Sequence, residues 1–319
     1  STMATYNFSY IGTAPQASYA LIKTEKELSE TPEEMLNWIA GAEYADSIGA
    51  DIINSSLGYS TFDDPADDYS VTDLDGRTSI ISLGALAAAR TGMLVVTSAG
   101  NAGGSSWDKL TFPADADSIL TVGSVTQYGV ASSFSSRGYT VDGRVKPNVC
   151  ARGEGAVVYR SDGTLAYANG TSFSSPIIAG AAACLWSTVP DATAQEVIEA
   201  LEISSSHYYQ HNPRIGYGIP NLGFARRYLS AIVEGEFSDI VVYPNPFPDY
   251  ISLFLPDGES LPIHLELRDL NQRTVATTTL ESKRYKALWS PGDNIAAGTY
   301  ILYIERGGRT QIQRVIKLL

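Results

Sequence analysis

Apolar and polar positions change rhythm along this chain. Between residues 18 and 125, short β-branched runs alternate with longer stretches in which apolar side chains recur every three to four positions. That is the pattern of a parallel sheet covered by helices. Residues 18–23 read as a strand and 32–48 as a helix, with Thr31 as its cap, Pro32 in its first turn, and Met35, Ile39 and Ala42 on one face. Residues 50–57 read as the next strand, about 79–90 as a helix closed by Gly92, 93–99 as an almost uninterrupted apolar strand, and 119–125 as another. Strands apolar on both faces belong inside an α/β sandwich, with ligands at their carboxyl ends.

Near residue 230 the rhythm changes to short alternating runs of Thr, Val, Ile, Leu and Tyr, broken by Pro, Gly, Asn and Asp. Pro244, Pro246, Pro248, Pro256 and Pro262 exclude long helices, and 251–255, 264–267, 273–280, 298–305 and 311–318 alternate as strands do. A small antiparallel sandwich follows. The expected architecture is an α/β body over residues 1–230, a linker over 231–240, and an all-β module over 241–319.

Composition adds limits. Of 319 residues, 44% are hydrophobic and 18% charged, which describes a soluble, ordered chain. No run approaches the roughly 20 apolar residues of a membrane helix. Residues 1–240 hold 27 acids against 13 Lys and Arg, whereas 241–319 hold 8 against 9. An acidic body without a basic cluster is a poor partner for nucleic acid. Cys150 and Cys184 lie in apolar runs, too few for a disulfide framework or a zinc site, and are expected as buried free thiols. Residues 1–12 lack the charged start and apolar block of a signal peptide.

Three segments could carry chemistry. Asn169-Gly170-Thr171-Ser172-Phe173-Ser174-Ser175-Pro176 leads into the apolar helix 177–186. A catalytic serine needs an exposed, fixed seat, and the first turn of a helix provides one, with free amides and a positive dipole end to favour an oxyanion. Pro176 is expected in that turn. Thr171 and Ser172 would equally serve as caps of a buried helix. In Ser98-Ala99-Gly100-Asn101-Ala102-Gly103, the Asn101 amide at a strand end is placed to donate to an oxyanion, or the segment simply turns. In Asn54-Ser55-Ser56-Leu57-Gly58, an exposed backbone edge could pair with an extended peptide.

Together and in this order, these segments resemble the subtilisin-like serine peptidases (subtilases). Gly12-Thr13-Ala14-Pro15, Gly49-Ala50-Asp51-Ile52-Ile53-Asn54, Phe134-Ser135-Ser136-Arg137-Gly138, Lys146-Pro147-Asn148-Val149 and Gly216-Tyr217-Gly218 agree with it. The resemblance implies a subtilisin-like parallel sheet sandwiched by helices, Ser172 as nucleophile, and Asn101 as oxyanion donor. Ser56, Leu57 and Gly58 would line the substrate cleft, with Ser98, Ala99 and Gly100 opposite. The floor of the pocket for the residue before the scissile bond would fall on 98–100 and 110–114, with a cis peptide at Phe112-Pro113. The substrates implied are proteins or peptides, and no cofactor is required.

The chain also departs from the family. The triad's aspartate and the histidine of its H-G-T motif precede the G-T-A-P segment in subtilases, and neither motif is present here. Ser1-Thr2-Met3-Ala4 resembles the end of the histidine helix, so residues 1–319 are expected to be a truncated or cleaved, inactive piece of an enzyme. His207, His211 and His264 inherit no role. The alternative is a catalytically inactive subtilase-fold protein that binds or adheres at the cell surface.

Val242-Tyr243-Pro244-Asn245-Pro246-Phe247, Leu267-Arg268-Asp269-Leu270, Ala297-Gly298-Thr299-Tyr300-Ile301-Leu302 and Arg314-Val315-Ile316-Lys317 resemble the type A sorting domain of the type IX secretion system of the Bacteroidota. This implies a secreted or cell-surface protein and the secretion machinery as partner. A carbohydrate-binding or adhesive sandwich would show the same alternation. Asp63-Asp64-Pro65-Ala66-Asp67-Asp68 and Asp73-Leu74-Asp75-Gly76 offer clustered carboxylates to a structural calcium ion, without EF-hand spacing; a solvated acidic loop accounts for them equally.

Overall fold

A computed structural model describes residues 10–26, 29–234, 240–243, 245–247, 249–255, 262–281, 286–292 and 294–318. The chain divides into two compact units, Ser1–Arg226 and Arg227–Leu319. The division falls a few residues before the change of pattern at 230. Of the expected linker, 231–234 complete a helix and 235–239 lie outside the described residues.

In the first unit, β1 (Ile52–Ser55), β2 (Leu94–Ser98), β3 (Leu120–Val125) and β4 (Val149–Arg152) form a parallel sheet in that order. β2 and β3 are buried throughout, as their unbroken apolar character requires. α1 (Pro32–Ser47) and α2 (Ile80–Arg90) pack together. Met35, Trp38, Ala42, Ile81 and Ala85 join Val95, Leu110 and Phe112 in one core. Thr31 occupies the N-cap of α1, but its hydroxyl makes no capping bond. α3 (Thr171–Ser187) lies across all four strands, and it also meets the segment at Thr13, where a methyl group on Gly180 would overlap the Thr13 hydroxyl. A hairpin, β5 (Ala156–Tyr159) and β6 (Leu165–Ala168), precedes α3; α4 (Ala194–Ile203) and α5 (Leu222–Glu234) follow it.

Two expectations fail here. Residues 18–26 carry no strand, and Leu21 is 95% exposed. A β-branched run becomes a strand only where a neighbour completes the ladder, and among the described residues β1 pairs with β2 alone. Cys184 is exposed, on the side of α3 that meets Thr13, whose carbonyl accepts from its thiol at 3.1 Å. Cys150 is buried as expected, and burial pushes its thiol up to about 12.

The second unit holds two antiparallel sheets. One has the order β10 (Thr274–Glu281), β9 (Pro262–Arg268), β12 (Gly298–Arg306), β13 (Arg309–Lys317). The other runs β11 (Lys286–Trp289), β8 (Ile251–Phe254), β7 (Val241–Tyr243). The alternating residues Ile263, Leu265 and Leu267 meet Ile251, Leu253 and Trp289 from the other sheet, with Tyr300, Leu302 and Ile304, in one apolar core. No helix among the described residues is long and apolar enough to cross a membrane.

Candidate active site

Ser172 is the second residue of α3. Gly170 turns the chain into the helix at φ 152°, where L side chains rarely sit. The Ser172 N–H stands at the open, positive end of the helix. Pro176 is the sixth helical residue, deeper than the sequence suggested. Having no N–H, it cannot bond the carbonyl of Ser172 four residues earlier. The Ser56 hydroxyl takes that place, donating to the Ser172 carbonyl at 3.0 Å, while Ser172 Oγ donates to the Ser56 carbonyl at 3.4 Å. Ser175 Oγ donates to Asn54 Oδ1 at 2.9 Å. Three hydrogen bonds thus tie the end of β1 and the residue after it to the start of α3.

Asn101 follows β2 and is exposed. Its Oδ1 accepts from the Thr171 N–H at 2.9 Å and the Thr171 hydroxyl at 3.0 Å. A backbone N–H only donates, so the amide oxygen must face Thr171 and the NH2 group is left as the outward donor. A Cβ on Gly170 would stand 3.7 Å from that nitrogen. Two donors, the Asn101 NH2 group and the Ser172 N–H, therefore stand together at the start of α3, an arrangement suited to the oxyanion formed when the Ser172 hydroxyl attacks a carbonyl.

Two segments flank the serine. Ser56 and Leu57 are half-buried and Gly58 is exposed. The β1 ladder ends at Ser55, and among the described residues the Leu57 and Gly58 backbones make no hydrogen bond, an edge open to an extended peptide. Ser98, Ala99 and Gly100 are buried. Ala99 donates to Val122 at 2.9 Å and accepts from Thr111 at 3.2 Å, and the Gly100 carbonyl accepts from Ser136 at 3.0 Å. Their backbone is committed inward, so this side is a wall and not a pairing edge. Ser136 Oγ accepts from Ala102 N–H at 3.0 Å, bracing the Asn101 turn. Tyr59 and Phe112 exchange backbone bonds at 2.9 and 3.0 Å, which closes the floor. The Phe112-Pro113 peptide is cis, as expected.

Thr171, Asn54 and Ser175 had no individual part assigned in the site, and Thr111 entered only as one residue of the expected pocket floor, 110–114. The signal for the first was its place between Gly170 and Ser172; the others show themselves only through contacts distant in sequence. The histidine rings have other partners: Ser206 Oγ at 2.9 Å for His207, Tyr139 Oη at 3.0 Å for His211, and Thr279 Oγ1 at 3.1 Å for His264. The resemblance of Ser1-Thr2-Met3-Ala4 to a helix end lies outside the described residues.

Beyond the cleft, Lys146 is buried and donates to the Ile119 carbonyl at 2.9 Å and Asn148 Oδ1 at 3.0 Å. Burial lowers its pKa to about 7. Asn148 donates to Glu202 at 2.6 Å, and burial raises both Glu202 and Asp115. Four carboxylates of the acidic loops accept from nearby backbone amides, and Asp63 accepts from the more distant Glu30 N–H. Asp64 accepts from Ala66 at 3.0 Å, Asp68 from Phe62 at 2.7 Å, Asp73 from Ser70 at 2.7 Å, and Asp75 from Arg77 at 2.8 Å. Among the described residues no three His, Cys, Asp or Glu side chains gather as metal ligands.

Residues 2–218 match the subtilase family, Peptidase S8, and residues 241–318 match the secretion system C-terminal sorting domain. The second match indicates export. Subtilisin E of Bacillus subtilis (strain 168) is 33% identical over 214 residues, which cover 66% of this chain and 50% of the relative. The thermophilic serine proteinase of Bacillus sp. (strain AK1) is 35% identical over 176 residues, 54% of this chain and 38% of the relative. The chain spans about half the length, or less, of these curated relatives. Among solved structures, the self-cleaved protease domain of PatA superposes with a TM-score of 0.56 at 26% identity, covering 70% of this chain and 78% of that one. With a parallel sheet whose carboxyl ends hold a helix-seated serine beside an oriented asparagine amide, and with the first match spanning most of the chain, this protein belongs to the subtilase family of serine peptidases.

Proposed function

We propose that this chain is the nucleophile-bearing part of a secreted serine endopeptidase. Ser172 attacks the peptide carbonyl, its own N–H and the Asn101 amide hold the oxyanion, and the substrate lies extended along Ser56, Leu57 and Gly58. The observation that carries this reading is the pair of bonds from Thr171 to Asn101 Oδ1, at 2.9 and 3.0 Å, which leave the amide nitrogen free beside Ser172. In this reading the base and its orienting carboxylate come from polypeptide outside residues 1–319: the Ser172 hydroxyl donates to the Ser56 carbonyl, and the rings of His207, His211 and His264 bond to Ser206, Tyr139 and Thr279. By themselves, residues 1–319 are therefore catalytically inert. The C-terminal module is the export address, read by type IX secretion machinery.

The test is to express the full-length protein and give it an unfolded protein substrate. Cleavage that stops when a fluorophosphonate attaches to Ser172, located by peptide mass spectrometry, supports the reading. A protein that binds peptides, cuts none and leaves Ser172 unlabelled is a binding or adhesion protein on the same fold.

A further inference from the structure

One side chain closes the base of the slot beside the nucleophile. The walls are residues 56–58, tied to Ser172 through Ser56, and 98–100, which lead into Asn101. A peptide extended along the first wall, with a carbonyl at Ser172, directs the side chain on the acyl side of that carbonyl between the two walls. Thr111 already stands there. Its N–H donates to the Ala99 carbonyl at 3.2 Å. A methyl group on Gly58 would overlap the Thr111 hydroxyl, and one on Gly100 would come within 2.6 Å of it. Both walls are glycine at this height, and Thr111 takes the space. Threonine carries two heavy atoms on Cβ, so χ1 is restricted and two of its three staggered positions keep a heavy atom in any one direction.

The hydroxyl has a second peculiarity. Thr111 Oγ1 is sealed from solvent and has no hydrogen-bond partner. Ser136 Oγ, which like Thr111 Oγ1 stands within 2.8 Å of a Cβ built on Gly100, accepts from the Ala102 N–H and is not recorded as its partner. A buried, unpaired hydroxyl is unfavourable for folding alone.

We propose that Thr111 determines the specificity of this cleft, limiting the residue on the acyl side of the scissile bond to glycine, alanine or serine. This rests on the reading of Ser172 as nucleophile and of 56–58 as the peptide edge. A misfit of one or two methylenes in such a pocket is worth about 10- to 200-fold.

Two measurements test it. The full-length protein carrying Ser172→Ala is titrated with fluorescent hexapeptides that differ only at the acyl-side residue, Ala, Ser, Leu or Phe. The unmodified protein is given a peptide mixture, and its cut sites are read by mass spectrometry. We expect Ala and Ser peptides to bind at least tenfold tighter than Leu and Phe peptides, with cuts after the same small residues. Thr111→Gly should raise the affinity for Leu and Phe at least tenfold; Thr111→Ala should do so by a smaller factor and carries the test if glycine unsettles the fold. Equal binding of Phe and Ala, or an order unchanged in both variants, overturns the assignment. Cutting after large residues overturns it while leaving the peptidase reading intact. Binding in the expected order without any cutting supports the pocket and removes the peptidase reading.

Discussion

The two units bury different kinds of interior. The first encloses Ser82, Thr97, Ser98, Asp115, Thr121, Lys146, Thr171, Ser174 and Ser175 among its apolar residues. The second encloses a nearly pure apolar core of Ile251, Leu253, Ile263, Leu265, Leu267, Leu302 and Val315. In the first, the bonds that build the site join residues far apart in sequence: Thr171 and Asn101 are separated by 70 positions, Ser56 and Ser172 by 116. In the second, antiparallel strands pair in simple ladders such as Gly298↔Lys317 to Arg306↔Arg309. Buried polar groups must be paired to be tolerated, so the first unit tolerates exchange poorly at its strand ends. The second needs only its alternation. Chemistry should therefore fail through the first unit alone.

The largest expected effect is that of Ser172→Ala in the full-length protein. Hydrolysis should fall by about a millionfold, the loss measured for subtilisin without its nucleophile, while thermal unfolding of both units stays in place; retained hydrolysis would mean another nucleophile. Next, Asn101→Ala should lower kcat by about a hundred- to a thousandfold with little change in KM, because its amide meets charge present only in the transition state. That magnitude too is subtilisin's own. A loss confined to KM in steady-state kinetics would make Asn101 a substrate contact only.

The reciprocal test lies in the second unit. Leu265 is fully buried, and Leu265→Ala should destabilise that unit by about 2–5 kcal/mol. Hydrogen exchange in β9 and β12 should quicken while labelling of Ser172 is unchanged. Slowed labelling would show that the two interiors are coupled.

The smallest effect is one of pH. Lys146 titrates near 7 in the folded protein, against about 10.4 for an unfolded lysine. Between those values the unfolded chain holds a proton that the folded one lacks, so this group makes stability rise with pH from about 7 to 8.5 and fall as pH drops toward 7. Asp115 and Glu202, raised by burial, act in the opposite sense in the acid range, and the Cys150 thiol does so above about 8.5. Hydrogen exchange should show the upward slope in β2 and not in β12, and Lys146→Met should flatten it. A slope equal in both units would remove Lys146 as its source.

What could be read in the sequence follows the same contrast. β2, β3 and α2 declare themselves through long apolar runs, and the sandwich through alternation in Ile263, Leu265 and Leu267. β4 is four residues long and sits between Pro147 and Gly153, too short for a period to register. α4 carried a readable start, the reciprocal bonds of Thr193 with Glu196, beneath a modest apolar face. At the site, Ser172 and Asn101 were legible as residue types at a helix start and a strand end. The Asn101 orientation was not, because Thr171 fixes it from 70 positions away. The expected pocket floor at 110–114 took in Thr111, but its place between the walls was hidden, since nothing in the order Leu110-Thr111-Phe112 says that Gly58 and Gly100 close upon it.

The most direct measurement is the rate at which a fluorophosphonate labels Ser172 in residues 1–319 and in the same chain expressed with the polypeptide that precedes it in the full-length protein. The account predicts fast labelling of the longer chain and none above background in the shorter, in which the proposed oxyanion site would act without a base. Equal labelling of a soluble, monomeric short chain would contradict it: a base would then have to lie within these residues, with His207 and His211 as the candidates in the first unit.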